Sequence, residues 1–224
     1  MAAALRAAAR DREDAWSFLT GFAADWRLPL RPGDGSDASE LDAAEARLGL
    51  RLPAALREAY RLLGRRDDLC RNQDRLLPPE ELHVREDALV CVEENQGAAH
   101  WGIRLGDLGT DDPPVAVRPD LADKTAERWE PWTDRLSAAI VDLVMSEVLY
   151  YGDGLSDAGE MTGIADGAFE PLPSLLATES GSRWLLGDDA LLHVCDGSWV
   201  TVRVRSRDAF GAVRESVTAD WVNW

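Results

Sequence analysis

Lysine is all but missing from this 224-residue chain: Lys124 stands alone against 23 arginines. A phosphate-binding loop needs a glycine-rich lead into Gly-Lys-Ser/Thr. Asp123-Lys124-Thr125 has no such lead, so that nucleotide site is excluded. Histidine and cysteine are scarce too, at three each. His83, His100 and His193 are isolated, and no pair of His or Cys falls at metal-ligand spacing. Cys70, Cys91 and Cys195 are an odd, scattered set without C-x-x-C, which reads as reduced thiols rather than a disulfide framework. There is no G-x-S-x-G nucleophile elbow and no H-E-x-x-H. No apolar run approaches bilayer length. The alanine-rich start is broken by Arg6, Arg10, Asp11, Glu13 and Asp14, so it does not read as a secretory signal, and the expected compartment is the cytoplasm. No cofactor motif, catalytic residue or metal site emerges.

What the chain does have is acid. The formal net charge is −17, and residues 67–170 hold 24 Asp and Glu against eight Lys and Arg. The two ends are close to neutral. A one-signed field repels nucleic acid and anionic membrane and attracts basic partners, although acidity also serves solubility. Nine tryptophans are many, each a large apolar body with one N–H to satisfy.

Residues 4–26 read as one amphipathic helix, with Ala15, Trp16, Leu19, Phe22, Ala23 and Trp26 on a shared face and Pro29 beyond it. With it, residues 1–30 form an N-terminal element, and residues 31–38 read as a linker. Residues 39–224 form the main domain. In it, Ser39 is positioned to cap a helix ending at Gly49, and Leu52-Pro53 opens another bearing Leu56, Tyr60 and Leu63. Residues 133–150 make a strong helix whose repeat runs through Leu136, Ile140, Leu143, Val144, Glu147 and Val148. Residues 152–167 resemble a calcium loop, but Leu155 stands where the third position needs an acid, so an exposed loop is expected. Residues 190–195 and 199–204, joined through Asp196-Gly197, read as a β-hairpin, and Ser206 as the cap of a helix bearing Phe210, Val213 and Val217; Trp221 and Trp224 finish the chain. The mixed order predicts an α+β fold: an antiparallel sheet flanked by helices, with an extra N-terminal helix.

The stretch from Leu89 to Val117 carries most of the functional signal. It reads as strand, Asn95-Gln96-Gly97 turn, alternating strand, acidic loop, Pro113-Pro114 and strand. Trp101, Ile103 and Leu105 point one way, and His100, Gly102 and Arg104 the other. Candidate partner-binding residues are Glu93, Glu94, Asn95 and Gln96 on the turn, Asp111 and Asp112 on the next loop, and Trp101 as an aromatic anchor. The alternatives are a structural turn for Asn95-Gln96 and core packing for Trp101.

Three features in order resemble the SUKH superfamily, the cell-wall-assembly-regulator-like fold. They are the helix pair in SELDAAEARLGLRLPAALREAYRLLG, the turn and Trp strand in EENQGAAHWGI, and DDPPVAV. The resemblance spans residues 39–178, with a looser fit beyond, and it leaves out the N-terminal helix. It departs from the pattern at Gly64-Arg65-Arg66-Asp67-Asp68, which is more charged than the family's loop. The resemblance implies an α+β fold without shared catalytic residues. It also implies a role common among bacterial members: an immunity protein that binds and neutralises a toxin domain, here expected to be a basic nuclease. The alternative it leaves is a regulatory or scaffold domain with a different protein partner. A hydrolase using paired carboxylates is the third reading, and it has no motif to name.

Overall fold

An Asp cap decides how the chain begins. In the computed structural model, which describes residues 1–177 and 181–222, the Asp11 carboxylate accepts from the backbone N–H groups of Glu13 and Asp14 at 2.8 and 3.2 Å. That cap splits the expected single N-terminal helix into α1 (Ala2–Ala8) and α2 (Arg12–Trp26). On the buried face of α2, Phe18 stacks on Phe22 at 5.7 Å, and Trp26 lies tilted against Phe22 at 6.3 Å. Helix α3 (Ala38–Leu48) is capped by Asp37 rather than Ser39; the Asp37 N–H donates to Glu40 Oε2 at 2.6 Å. Gly49 ends α3 at φ +69°, where a side chain would be strained. Helix α4 (Ala54–Leu63) buries Leu56, Tyr60 and Leu63. The segment read as a linker is packed against it: Ser36 N–H donates to Tyr60 O at 2.8 Å, and a Cβ on Gly35 would meet Arg61 O at 1.7 Å. The short α5 (Asp67–Cys70) follows.

A first antiparallel sheet then forms from β1 (Asp74–Leu76), β2 (His83–Arg85), β3 (Ala88–Glu94), β4 (Ala99–Arg104), β5 (Val115–Pro119) and β6 (Glu130–Thr133). Its order is β1-β3-β4-β5-β6, with β2 also paired to β3. Helix α6 (Leu136–Leu149) starts three residues later than expected because Thr133 closes β6. It is buried nearly all round and packs against α2, α4, α5 and β6.

A second six-stranded antiparallel sheet comes from β7 (Ser156–Ile164), β8 (Glu170–Pro171), β9 (Arg183–Leu186), β10 (Ala190–Cys195), β11 (Trp199–Val204) and β12 (Val217–Trp221). Its order is β12-β7-β11-β10-β9-β8. The β10–β11 hairpin stands at its expected bounds, with Asp196 and Gly197 at φ +50° and +67°. The expected loop at residues 152–167 is instead mostly β7, a strand inside this sheet. Helix α7 (Ala209–Ser216) follows Asp208, and Ser206 is not its cap. Val217 opens β12 rather than extending α7; Trp221 ends that strand, and Trp224 lies outside the described residues.

The architecture is α+β. Ala190, Leu192, Val194, Val200, Val202 and Val204 alternate onto one face of the second sheet and meet Val213 of α7 in a small core. The main core joins α1–α6 to the first sheet and takes in Leu191 and Trp184 from the second. Among the described residues, no helix is long and apolar enough to cross a membrane.

Candidate functional site: a hairpin rim and the cavity behind it

The β3–β4 turn is fixed by one carboxylate. Glu94 accepts from the backbone N–H groups of Gln96 and Ala98 at 2.7 and 3.0 Å, and from Gln73 Nε2 at 2.8 Å. Asn95 adds an Nδ2 bond to Gln73 Oε1 at 3.3 Å, and its own N–H donates to Gln73 O at 3.0 Å. Gly97 turns the chain at φ +78°. Glu94 is therefore part of the turn's frame, whereas the Asn95 and Gln96 side chains are exposed upon it.

Glu93 lies on the outer face of the first sheet, in a row with Arg75, His100 and Arg118 on neighbouring strands. Arg75 Nη2 is 3.3 Å from its carboxylate, and His83 and His100 lie at 3.8 and 3.9 Å. Further along this face the Arg118 guanidinium meets Glu127 at 3.1 Å and Glu86 at 2.9 Å. Trp129 covers Gly102 there: a Cβ on Gly102 would sit 3.1 Å from the indole ring and 2.8 Å from Leu89 O. The face is a mesh of paired charges rather than an acidic patch.

Asp111 and Asp112 lie at the other end of the same strands, so the structure does not bring them together with the turn. Asp111 is exposed over 82% of its side chain, with Arg12 at 4.0 Å. Asp112 is spent on structure: it accepts from Ser137 N–H and Oγ at 2.8 and 2.7 Å and from Arg135 Nε at 3.0 Å, holding the N-terminus of α6. Trp101 points inward, edge-on to Trp132 with centroids 6.0 Å apart, rather than outward as an anchor. The expected alternation along β4 is present, since His100 lies on the outer face.

Behind the turn, Trp101 and Trp132 line a cavity of about 170 Å³ between the first sheet and α6. Its walls include Val92, Val115, Leu136, Ile140 and Leu143, and Asp74, Asp142, Ser146 and His193 bring polar groups to it. Burial, then the nearby Glu94 and Asp142 carboxylates, pushes the Asp74 carboxyl up to about 7. Burial pushes Asp142 up to about 6 against a 3.1 Å bond from Trp184 Nε1. Glu147 next to them is fully buried, and burial pushes it up to about 7. It accepts from the backbone N–H groups of Asn72, Gln73 and Asp74, the latter two at 3.0 and 2.7 Å. Much of the acidity expected at the surface is thus interior or paired.

His193 is stacked on Trp184 at 4.3 Å, and burial pushes it down to about 4, so it is neutral at pH 7. Its Nε2 is 2.5 Å from Ser182 Oγ, and its Nδ1 faces Cys195 Sγ at 3.6 Å. A Ser–His nucleophile needs a group that orients the imidazole, and here a thiol stands where a carboxylate would act. Among the described residues, no three His, Cys, Asp or Glu side chains are grouped to hold a metal.

The sequence presents Leu136, Ile140 and Leu143 as a helix stripe, His193 as an isolated histidine and Trp101 as a candidate, but does not bring them together as one cavity. Its signal was Asp142 and Glu147 inside a helix otherwise apolar on most sides: an acid on a buried face must find partners or lose its charge. Comparison with protein-family models and with curated proteins finds no match to this chain.

Proposed function

We propose that this chain is a non-enzymatic binding protein of the SUKH type that neutralises a toxin domain by covering it, with a basic nuclease as the expected partner. The observation that carries this reading is the β3–β4 turn. Its backbone is over-determined by Glu94, Gln73 and Gly97, yet the Asn95 and Gln96 side chains project from it exposed. A rigid turn with exposed amide groups binds without first losing conformational freedom. The net charge of −17 adds long-range attraction for a basic partner, and rim charges act mainly on association rate and salt dependence. The resemblance of EENQGAAHWGI to the SUKH turn supports the same assignment.

The test is co-expression with the product of the adjacent gene, scored by growth rescue and co-purification. Rescue is expected, with a complex whose association slows as salt rises. The Asn95→Ala/Gln96→Ala double variant is expected to weaken the complex by about 2 kcal/mol or more. Failure of rescue and co-purification, or an affinity indifferent to the double variant, would overturn the assignment.

A further inference from the structure

Asp74 and Asp142 reach the cavity behind the turn without a counter-ion. Among the described residues no Lys or Arg lines it, and none contributes to the electrostatics of either carboxyl. Asp142 accepts one bond through Oδ1, from Trp184, and Asp74 makes no side-chain hydrogen bond among the described residues. Other acids withdrawn from water are paired with arginine or held by several N–H groups: Asp68 with Arg66 at 2.7 Å, Asp153 with Arg203 at 2.8 Å and the buried Asp157 with Arg214 at 2.9 Å, and Glu94 and Glu147 by backbone N–H groups. The cavity is the exception, and it is an open space rather than a packed one. Its volume of about 170 Å³ is close to that of an engineered cavity of about 150 Å³ that holds benzene.

Space for one ring, two indoles along the wall and two uncompensated carboxylates ask for one chemistry. We propose that this cavity binds an apolar-stemmed organic cation, an ammonium or guanidinium carried on a single ring or a branched aliphatic chain. Asp74 and Asp142 receive the charge, which keeps both ionised and removes their mutual repulsion. Trp101 and Trp132 flank the stem and attract the cation through their ring faces. The cation comes either as a free amine or as a Lys or Arg side chain inserted by a protein. Asp74 is directly opposite Glu94 in the β1–β3 register, so the cavity lies beside the base of the turn.

Calorimetric titration of the full chain with benzylamine and with benzyl alcohol tests this. Benzylamine is expected to bind saturably, with the neutral isostere at least tenfold weaker. Asp142→Asn and Asp74→Asn are each expected to weaken the amine tenfold or more and to leave the alcohol unchanged. Ala139→Leu, which fills the cavity from α6, is expected to abolish amine binding with an unchanged circular dichroism spectrum. Asn95→Ala/Gln96→Ala is expected to leave amine binding intact, which separates this site from the partner assignment. Blocked lysine and arginine derivatives distinguish the sources: tighter binding than benzylamine indicates a protein side chain, weaker binding a free amine. Equal binding of amine and alcohol, no amine binding at millimolar concentration, or amine binding that survives Ala139→Leu would each overturn the inference.

Discussion

Helix α6 meets two antiparallel sheets and treats them differently. Toward the first it presents Leu136, Ile140 and Leu143, facing Val92, Trp101 and Val115 across the cavity. Toward the second it meets Leu191 and Trp184 and, beside them, polar groups. The valines of β11 point away to α7, leaving Thr201 and Arg203 on the near face beside His193 of β10. That seam is stitched by Trp184 to Asp142, by Tyr150 to Thr201, and by Asp153 between Arg203 and Arg27 at 2.8 and 2.7 Å. An apolar interface tolerates changes of shape, at a cost set by the void left behind. A polar seam tolerates little, because each member removed leaves another uncompensated.

The widest gap between the two sides is expected at Asp153. Arg203 is 2% exposed, and its guanidinium bonds both Asp153 oxygens and Ser156 Oγ. Asp153→Ala leaves the buried Arg203 guanidinium with Ser156 Oγ alone, while Arg27 keeps Asp68 at 3.4 Å, and is expected to cost about 3–5 kcal/mol in urea unfolding. Ile103→Ala on the first sheet is expected to cost about 2–5 kcal/mol by leaving a void. A double change of Asp153→Ala and Arg203→Met should recover much of the first loss, while no polar replacement recovers the second. A cost below about 1 kcal/mol for Asp153→Ala would erase the distinction.

The carboxyls around α6 give the next effect. Asp74, Asp142 and Glu147 titrate in the folded chain at about 7, 6 and 7, above their ordinary values, chiefly because burial disfavours their charge. Raised acids bind more protons folded than unfolded, so stability falls as pH climbs from about 4 to 7. Asp153 works the other way: burial opposes its charge, but Arg203 bonds and attracts it and holds it below the ordinary range. Its contribution is present above about pH 4 and lost below. Unfolding free energy should therefore be greater at pH 5 than at pH 8. Asp142→Asn, which keeps the oxygen for Trp184, should flatten that slope by at most about 1.4 kcal/mol per pH unit. A profile that rises from pH 5 to 8 would refute the assignment.

The contrast also explains what the sequence could and could not reveal. Helices α2, α3, α4 and α6, β3, β4 and the β10–β11 hairpin were legible because apolar residues recur at helical or strand spacing, with Gly97 or Asp196-Gly197 at the turns. β7 was not. Its buried run Ser156–Gly159 is made of small or polar groups with no period-two signal, supported by Arg203 and Arg214 from distant segments, and only Met161 beyond it is a large apolar buried residue. Gly159 is needed because a Cβ there would meet Asp220 O of β12 at 2.4 Å. The candidate site was half legible for the same reason. Asn95 and Gln96 read as a turn and are one, and the alternation that groups Trp101 with Ile103 already offered core packing for it, but no local pattern shows that Asp112 serves α6.

The smallest effects divide the β3–β4 turn itself. Glu94 belongs to the structural kind of polar residue, since its carboxylate takes up two backbone N–H groups and the Gln73 amide. Glu94→Ala frees all three to solvent and is expected to cost about 1 kcal/mol of stability. Asn95→Ala/Gln96→Ala removes exposed side chains, one carrying a single long bond of 3.3 Å, and is expected to fall within about 0.5 kcal/mol of the parent. The two variants should therefore separate in opposite directions, one visible in urea and the other only in complex formation. If the double variant destabilises the chain as much as Glu94→Ala, the amides are part of the frame and are not spare for a partner.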